Sequence, residues 1–134
     1  MLNAFPMLLA YGLAGPLIIR IVLGILFILA GFVKVFRDRE ECARIFEGMG
    51  FPAPRVFSIV VGLVELLGGI CLIAGFGTQV VAIVLSLLTL LFLYIKIRRP
   101  DLLPNGAVYY VLILTMAISL TVTGAGFLAF DLPL

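Results

Sequence analysis

Apolar residues run almost unbroken through four stretches, 16–36, 56–76, 78–97 and 107–127, and polar residues gather between them. An α-helix needs about 20 mostly apolar residues to cross the hydrocarbon core of a bilayer, so the pattern predicts four membrane-spanning helices. Residues 1–15 form an apolar leader broken by Pro6, Gly12 and Gly15, which extends the first span or lies in the interface. No basic residue precedes it, so it is not expected to be a cleaved signal peptide. The one long polar segment, 37–55, predicts a short amphipathic helix centred on 40–47 that buries Ile45 and Phe46 and stops at Gly48 and Gly50. A hinge of only 75–78 forces spans two and three into an antiparallel hairpin. Pro100, Pro104 and Gly106 separate span three from span four.

Composition supports the same picture. Of 134 residues, 64% are apolar and 12% charged, against roughly half and a quarter in soluble domains. With no polar linker, residues 1–134 are expected to form a single membrane domain: an all-α bundle of four transmembrane helices with antiparallel neighbours. A net charge of +2 gives a nucleic-acid partner no support. The basic residues matter by position. Lys34, Arg37, Arg39, Arg44 and Arg55 flank the first loop and Lys96, Arg98 and Arg99 the third, leaving only Arg20 elsewhere. By the positive-inside rule both loops face the cytoplasm and both termini face out. There is no histidine, and Cys42 and Cys71 lie far apart without a metal-binding spacing, so no metal-ligated or covalently bound cofactor is expected.

Few polar side chains fall inside the spans. On a helix turning about 100° per residue, Arg20, Gly24, Phe27, Gly31 and Lys34 share one line. This polar, glycine-lined stripe should face the bundle interior, because a charge costs several kcal/mol in lipid unless paired or hydrated; snorkelling of both cations to the headgroups is the alternative. Glu65 sits near the middle of span two, too short to reach out, with Ser58, Gly62, Gly68 and Gly69 on its own side. Small residues there let another helix approach closely, so Gly24, Gly31, Gly62, Gly68 and Gly69 are expected to form a packing seam or enclose a shared cavity. Glu65 is read three ways: an ion pair fixing bundle register, a proton-handling group, or a contact to a polar ligand. Arg20 and Lys34 are each expected about 10 Å from it along the axis. Arg20 is preferred as partner, since Lys34 can escape to the headgroups. Asp131, after span four, is placed level with Arg20. Thr115, Ser119 and Thr123 are read as packing hydroxyls, and Tyr109 and Tyr110 as interfacial anchors.

These residues carry a resemblance. Arg20 to Gly24 followed by Gly31 to Lys34, the Gly50-Phe51-Pro52 turn, Glu65 to Gly69, Gly75 to Thr78, and Gly124, Gly126 and Asp131 together resemble the DoxX/DoxD-like family of small prokaryotic membrane proteins. The resemblance covers most of the chain. It implies a four-helix bundle in the prokaryotic cell (inner) membrane, with Arg20, Lys34, Glu65 and Asp131 as typical polar positions. It also implies membrane-associated oxidoreductase systems, including subunits of thiosulfate:quinone oxidoreductase and partners in thiol-stress complexes. The sequence departs from the pattern at Ala129-Phe130-Asp131-Leu132, where a serine is usual before the final Leu-Asp.

Three functions follow as expectations. The first is an accessory oxidoreductase subunit, more a helper than a self-sufficient enzyme, that contacts quinone or docks an oxidoreductase partner, with Glu65 and Arg20 at the centre of an intramembrane pocket. The second is a non-enzymatic scaffold or assembly factor, and the third a small proton-coupled transporter with Glu65 as its coupling acid, for which homo-oligomerisation would be needed to build a full pathway.

Overall fold

The computed structural model describes residues 14–124 and 126, and the described residues form helices and turns without a strand. Helix α1 spans Ala14–Phe32 and runs on into a π-helical turn, Val33–Arg37, closed by Asp38 N–H donating to the Val33 carbonyl at 2.9 Å. Helix α2 is Arg39–Gly48, α3 Pro54–Ala74, α4 Thr78–Arg98 and α5 Ala107–Thr123. Three rods, Ala14–Arg37, Pro54–Ala74 and Thr78–Arg98, are long and apolar enough to cross a membrane. The fourth apolar helix has 17 residues and stops at Thr123, short of the expected 127, because Gly124 leaves the helix at a φ of 75°; residues 1–13 and Asp131 lie outside the described residues.

Local chemistry sets the boundaries. Pro54 sits in the first turn of α3, where its missing N–H costs nothing. At the other end Gly75 takes φ 72°, with Phe76 N–H donating to the Cys71 carbonyl at 3.0 Å and Gly75 N–H to that of Leu72 at 3.1 Å. This is the Schellman stop that a left-handed glycine permits. Gly77, also at positive φ, then turns the chain directly into α4, so α3 and α4 form the antiparallel hairpin. Helix α2 carries Glu40 and Glu41 in its first turn, favourably placed against the helix dipole, and buries Cys42, Ala43 and Phe46.

Burial follows narrow stripes. On α3 it falls on Ser58, Gly62, Glu65, Gly69 and Leu72, and on α4 on Thr78, Ala82, Leu85, Thr89 and Phe92. This alternating three-and-four spacing is that of helices packed a shallow angle apart. Outside the stripes the helices are apolar and exposed: Val122 is 80% accessible and Val108 72%. A surface so greasy on every side suits lipid rather than water, and the protein is a multi-pass membrane protein.

The tightest seam joins α1 to α3, antiparallel. A Cβ placed on Gly31 would lie 2.5 Å from the Gly62 carbonyl oxygen and 2.6 Å from the Leu66 nitrogen, and one on Gly69 2.6 Å from the Gly24 carbonyl oxygen. Backbone rests on backbone, which only glycine allows. Gly68 points elsewhere: its Cβ would meet the Leu85 side chain of α4 at 3.1 Å, so it belongs to the α3–α4 contact rather than to the α1 seam.

Two apolar clusters cap the polar middle. One gathers Leu23, Phe27, Leu72, Leu85, Ile113 and Leu120 from all four long helices, with Ala82 and Ala117. The other, at the end carrying the long loop, joins Phe46 of α2 to Phe92, Leu103 and Tyr110. There the two basic loops meet, since Arg99 Nη1 donates to the Gly48 carbonyl at 2.9 Å.

Candidate functional site

Lys34 and Glu65 face each other across the α1–α3 seam. Lys34 Nζ lies 2.7 Å from Glu65 Oε1 and 2.5 Å from Oε2, so one ammonium bridges both oxygens of a carboxylate that is only 3% exposed. The same ammonium sits 5.0 Å from the centre of the Phe92 ring, within reach of a cation–π attraction. Charge-assisted hydrogen bonding is what makes a carboxylate tolerable at this depth.

The partner differs from the expected one. Among the described residues the salt bridge of Glu65 is to Lys34, and Arg20 is not the partner. Register explains the difference. Because Gly31 rests on Gly62 and Leu66, and Gly24 on Gly69, Glu65 lies nearly level with Gly31. Lys34 is then three residues away along α1, roughly 5 Å, whereas Arg20 is eleven away, roughly 16 Å at 1.5 Å per residue. The π turn that holds Lys34 widens the helix here, and such turns often mark working sites. Arg20 is itself buried, at 2% exposure, level with the far end of α3 where Gly75 lies. Asp131 lies outside the described residues.

Beside the ion pair is a cavity of about 350 Å³. Its walls come from five helices and a loop. Helix α1 supplies Leu26, Phe27, Leu29, Ala30, Val33 and Lys34; α2 supplies Cys42 and Ile45; α3 supplies Glu65; and α4 supplies Thr89 and Phe92. Leu103, Pro104 and Asn105 of the following loop and Tyr109, Tyr110 and Ile113 of α5 complete it. The lining is predominantly apolar, with the ion pair as its charged point. Thr89 Oγ1 spends its proton on the Leu85 carbonyl at 2.7 Å, leaving its lone pairs as acceptors. Burial pushes the Cys42 thiol above its ordinary pKa, partly offset by the nearby Lys34 charge, so it is held as the neutral thiol. Among the described residues no cluster of three or more His, Cys, Asp or Glu stands ready for a metal ion.

Several of these residues are not singled out by reading the chain. Thr89 and Phe92 look like ordinary members of an apolar span, although their spacing from Leu85 marks one stripe. Tyr109 and Tyr110, expected as interfacial anchors, line the cavity, and Tyr110 is 8% exposed within the aromatic cluster. Thr115 and Thr123 each bond the carbonyl one turn back, at 2.8 Å, on exposed surface, away from the site.

The DoxX family model matches residues 15–96, which takes in α1 through nearly all of α4 and both members of the ion pair. The chain belongs to the DoxX family. It is also 33% identical over 119 residues to a Bacillus subtilis (strain 168) protein named "Putative oxidoreductase CatD", covering 87% of this chain and 84% of that one. No solved structure matches it.

Proposed function

We propose that this DoxX-family protein is an accessory membrane subunit of an oxidoreductase system, and that its cavity receives the head group of a quinone. The observation that carries the reading is the Lys34–Glu65 pair set into the wall of an otherwise apolar cavity. A small-molecule site typically combines an apolar lining with a few placed polar groups. A quinone ring offers flat apolar faces to Phe92, Tyr109 and Tyr110, and carbonyl oxygens that an ammonium can bond. The carboxylate keeps that ammonium charged and aimed. Electrons for any quinone reduction come from a partner protein, and the name of the Bacillus relative is consistent with work in a redox setting. In this reading the chain is a single domain of four spans in a prokaryotic cell membrane. The basic loops and α2 lie on the cytoplasmic side, with both termini outside.

A second reading, a scaffold without a ligand, draws on the ion pair being complete in itself: Glu65 already has the partner that a purely structural role requires. Extraction of lipids from the detergent-purified protein separates the two. Quinone recovered in proportion to the protein, and lost with Glu65→Gln, supports the proposal. A co-purifying enzyme with no quinone supports the scaffold. Proton-coupled uptake into liposomes that depends on Glu65 would instead make the protein a transporter.

A further inference from the structure

The cavity has an inner polar end and an outer apolar side, and the outer side faces lipid. The residues that α1 contributes besides Phe27 and Lys34 are Leu26, Leu29, Ala30 and Val33. On a helical projection these lie on the flank turned away from the glycine seam. Leu29 lines the cavity and is nevertheless 57% exposed, so the cavity reaches the outer surface of the bundle beside it. Across the gap stands α5, with Ile113 and Tyr109. Helices α1 and α5 are joined in the core cluster through Leu23, Phe27, Ile113 and Leu120, and the cavity opens on the loop side of that contact.

Size decides what such a shape can hold. At about 350 Å³ the cavity sits near the lower end of small-molecule pockets, which run from about 300 to 1,000 Å³. One substituted ring fits and a prenyl tail does not. An amphiphile with its ring beside Lys34 must therefore leave its tail outside the cavity. The apolar way out beside Leu29 lets the tail remain in lipid, whereas the other thin place in the wall, at exposed Pro104 and Asn105, leads towards the polar loops.

We infer that the ligand enters sideways from the bilayer through the cleft between α1 and α5, and that its tail stays in that cleft beside Leu29 while its ring occupies the cavity. This rests on the quinone reading and adds to it the route and the class of ligand: a ring with carbonyl acceptors on a long apolar tail, delivered from the membrane. Leu29, rather than any polar residue, is then the contact that distinguishes tailed from tail-less compounds.

The chain contains no tryptophan, so each introduced one reports alone. Leu29→Trp, Asn105→Trp and Val122→Trp, the last on the exposed face of α5 away from the cavity, are placed in full-length protein in liposomes. They are titrated with a decyl-substituted benzoquinone and with its twin brominated near the end of the tail. Saturable quenching by the unbrominated compound at L29W or N105W reports the ring in the cavity. The additional quenching due to bromine reports the tail. Ring quenching should be saturable, with the bromine-dependent part at L29W and only unsaturable, collisional quenching at V122W. Ring quenching with the bromine effect at N105W and not at L29W would overturn the lateral route while leaving the quinone site standing. Absence of saturable quenching by either compound at all three positions would remove the quinone reading and this inference with it. Leu29 is largely exposed, so its replacement leaves the packed core untouched, and adding Glu65→Gln to L29W should move the saturable signal to at least about tenfold higher quinone concentration.

Discussion

Lys34 reaches across the seam from α1 so that its ammonium lies within 2.7 Å of both carboxylate oxygens of Glu65 on α3. Removing one member strands the other. Breaking a buried pair from one side costs roughly 3–5 kcal/mol, whereas replacing both with apolar groups of similar size is often neutral. Lys34→Met should therefore lower thermal stability more than the double change Lys34→Met with Glu65→Leu. A double-mutant cycle on unfolding in detergent measures the difference, and additive losses would mean the two groups do not interact.

The glycine seam has an order of severity. A side chain at Gly31 or Gly69 meets backbone atoms within 2.6 Å, which cannot swing aside, so Gly31→Leu and Gly69→Leu should leave little folded protein; overpacking alone costs about 1–3 kcal/mol or more. Gly68→Ala meets only the Leu85 side chain at 3.1 Å and should be milder. Ile70→Leu, at a position 49% exposed, should be nearly silent. Monodispersity and melting temperature of the four variants test the ranking.

Cys42 and Cys71 should respond differently to labelling. Burial holds the Cys42 thiol above its ordinary pKa, and thiolate is the reactive form, so at neutral pH a water-soluble maleimide should react with it slowly. The rate should keep climbing as pH rises past the usual thiol value of about 8.5, where an ordinary thiol would level off. Cys71 lies within α3, half-buried, and should yield to a lipophilic maleimide and resist a charged one. Mass spectrometry of each labelled site against pH checks both. A Cys42 that labels fully at neutral pH would contradict its burial.

Much of the architecture can be read from the chain because a bilayer imposes it: every span must be continuous and apolar, and glycine and proline must do the turning. The hairpin at Gly75 to Thr78 and the amphipathic helix that buries Phe46 follow from such local rules. The identity of Glu65's partner does not. Arg20 and Lys34 sit on the same stripe of α1, and the choice between them depends on how far α1 slides against α3, which is set by where Gly24 and Gly31 find Gly69 and Gly62. The far wall of the cavity is likewise hidden, because Thr89, Phe92 and Asn105 reach it through the rotation of α4 and the path of the loop after it, which no local pattern encodes.

Sidedness is open to a direct test on a variant lacking both native cysteines. Single cysteines in place of Arg39 and Arg98 should label only when the cytoplasmic side is opened, and one in place of Asn3 only from outside. The opposite pattern would invert the proposed topology and place α2 on the outer face.

Glu65→Gln keeps the size of the side chain and removes its charge, so it separates the role of the carboxylate in ligand binding from its role in packing. Equilibrium binding of a tailed benzoquinone to the protein in nanodiscs is compared among the parent, Glu65→Gln and Glu65→Leu, with the melting temperature recorded for each. Glu65→Gln should still fold yet bind quinone at least about tenfold more weakly, a loss of roughly 1.4 kcal/mol, because Lys34 is no longer held in place for the ring's carbonyl. Parent-like binding by Glu65→Gln, with Glu65→Leu merely less stable, would make the pair a packing device and not part of a quinone site.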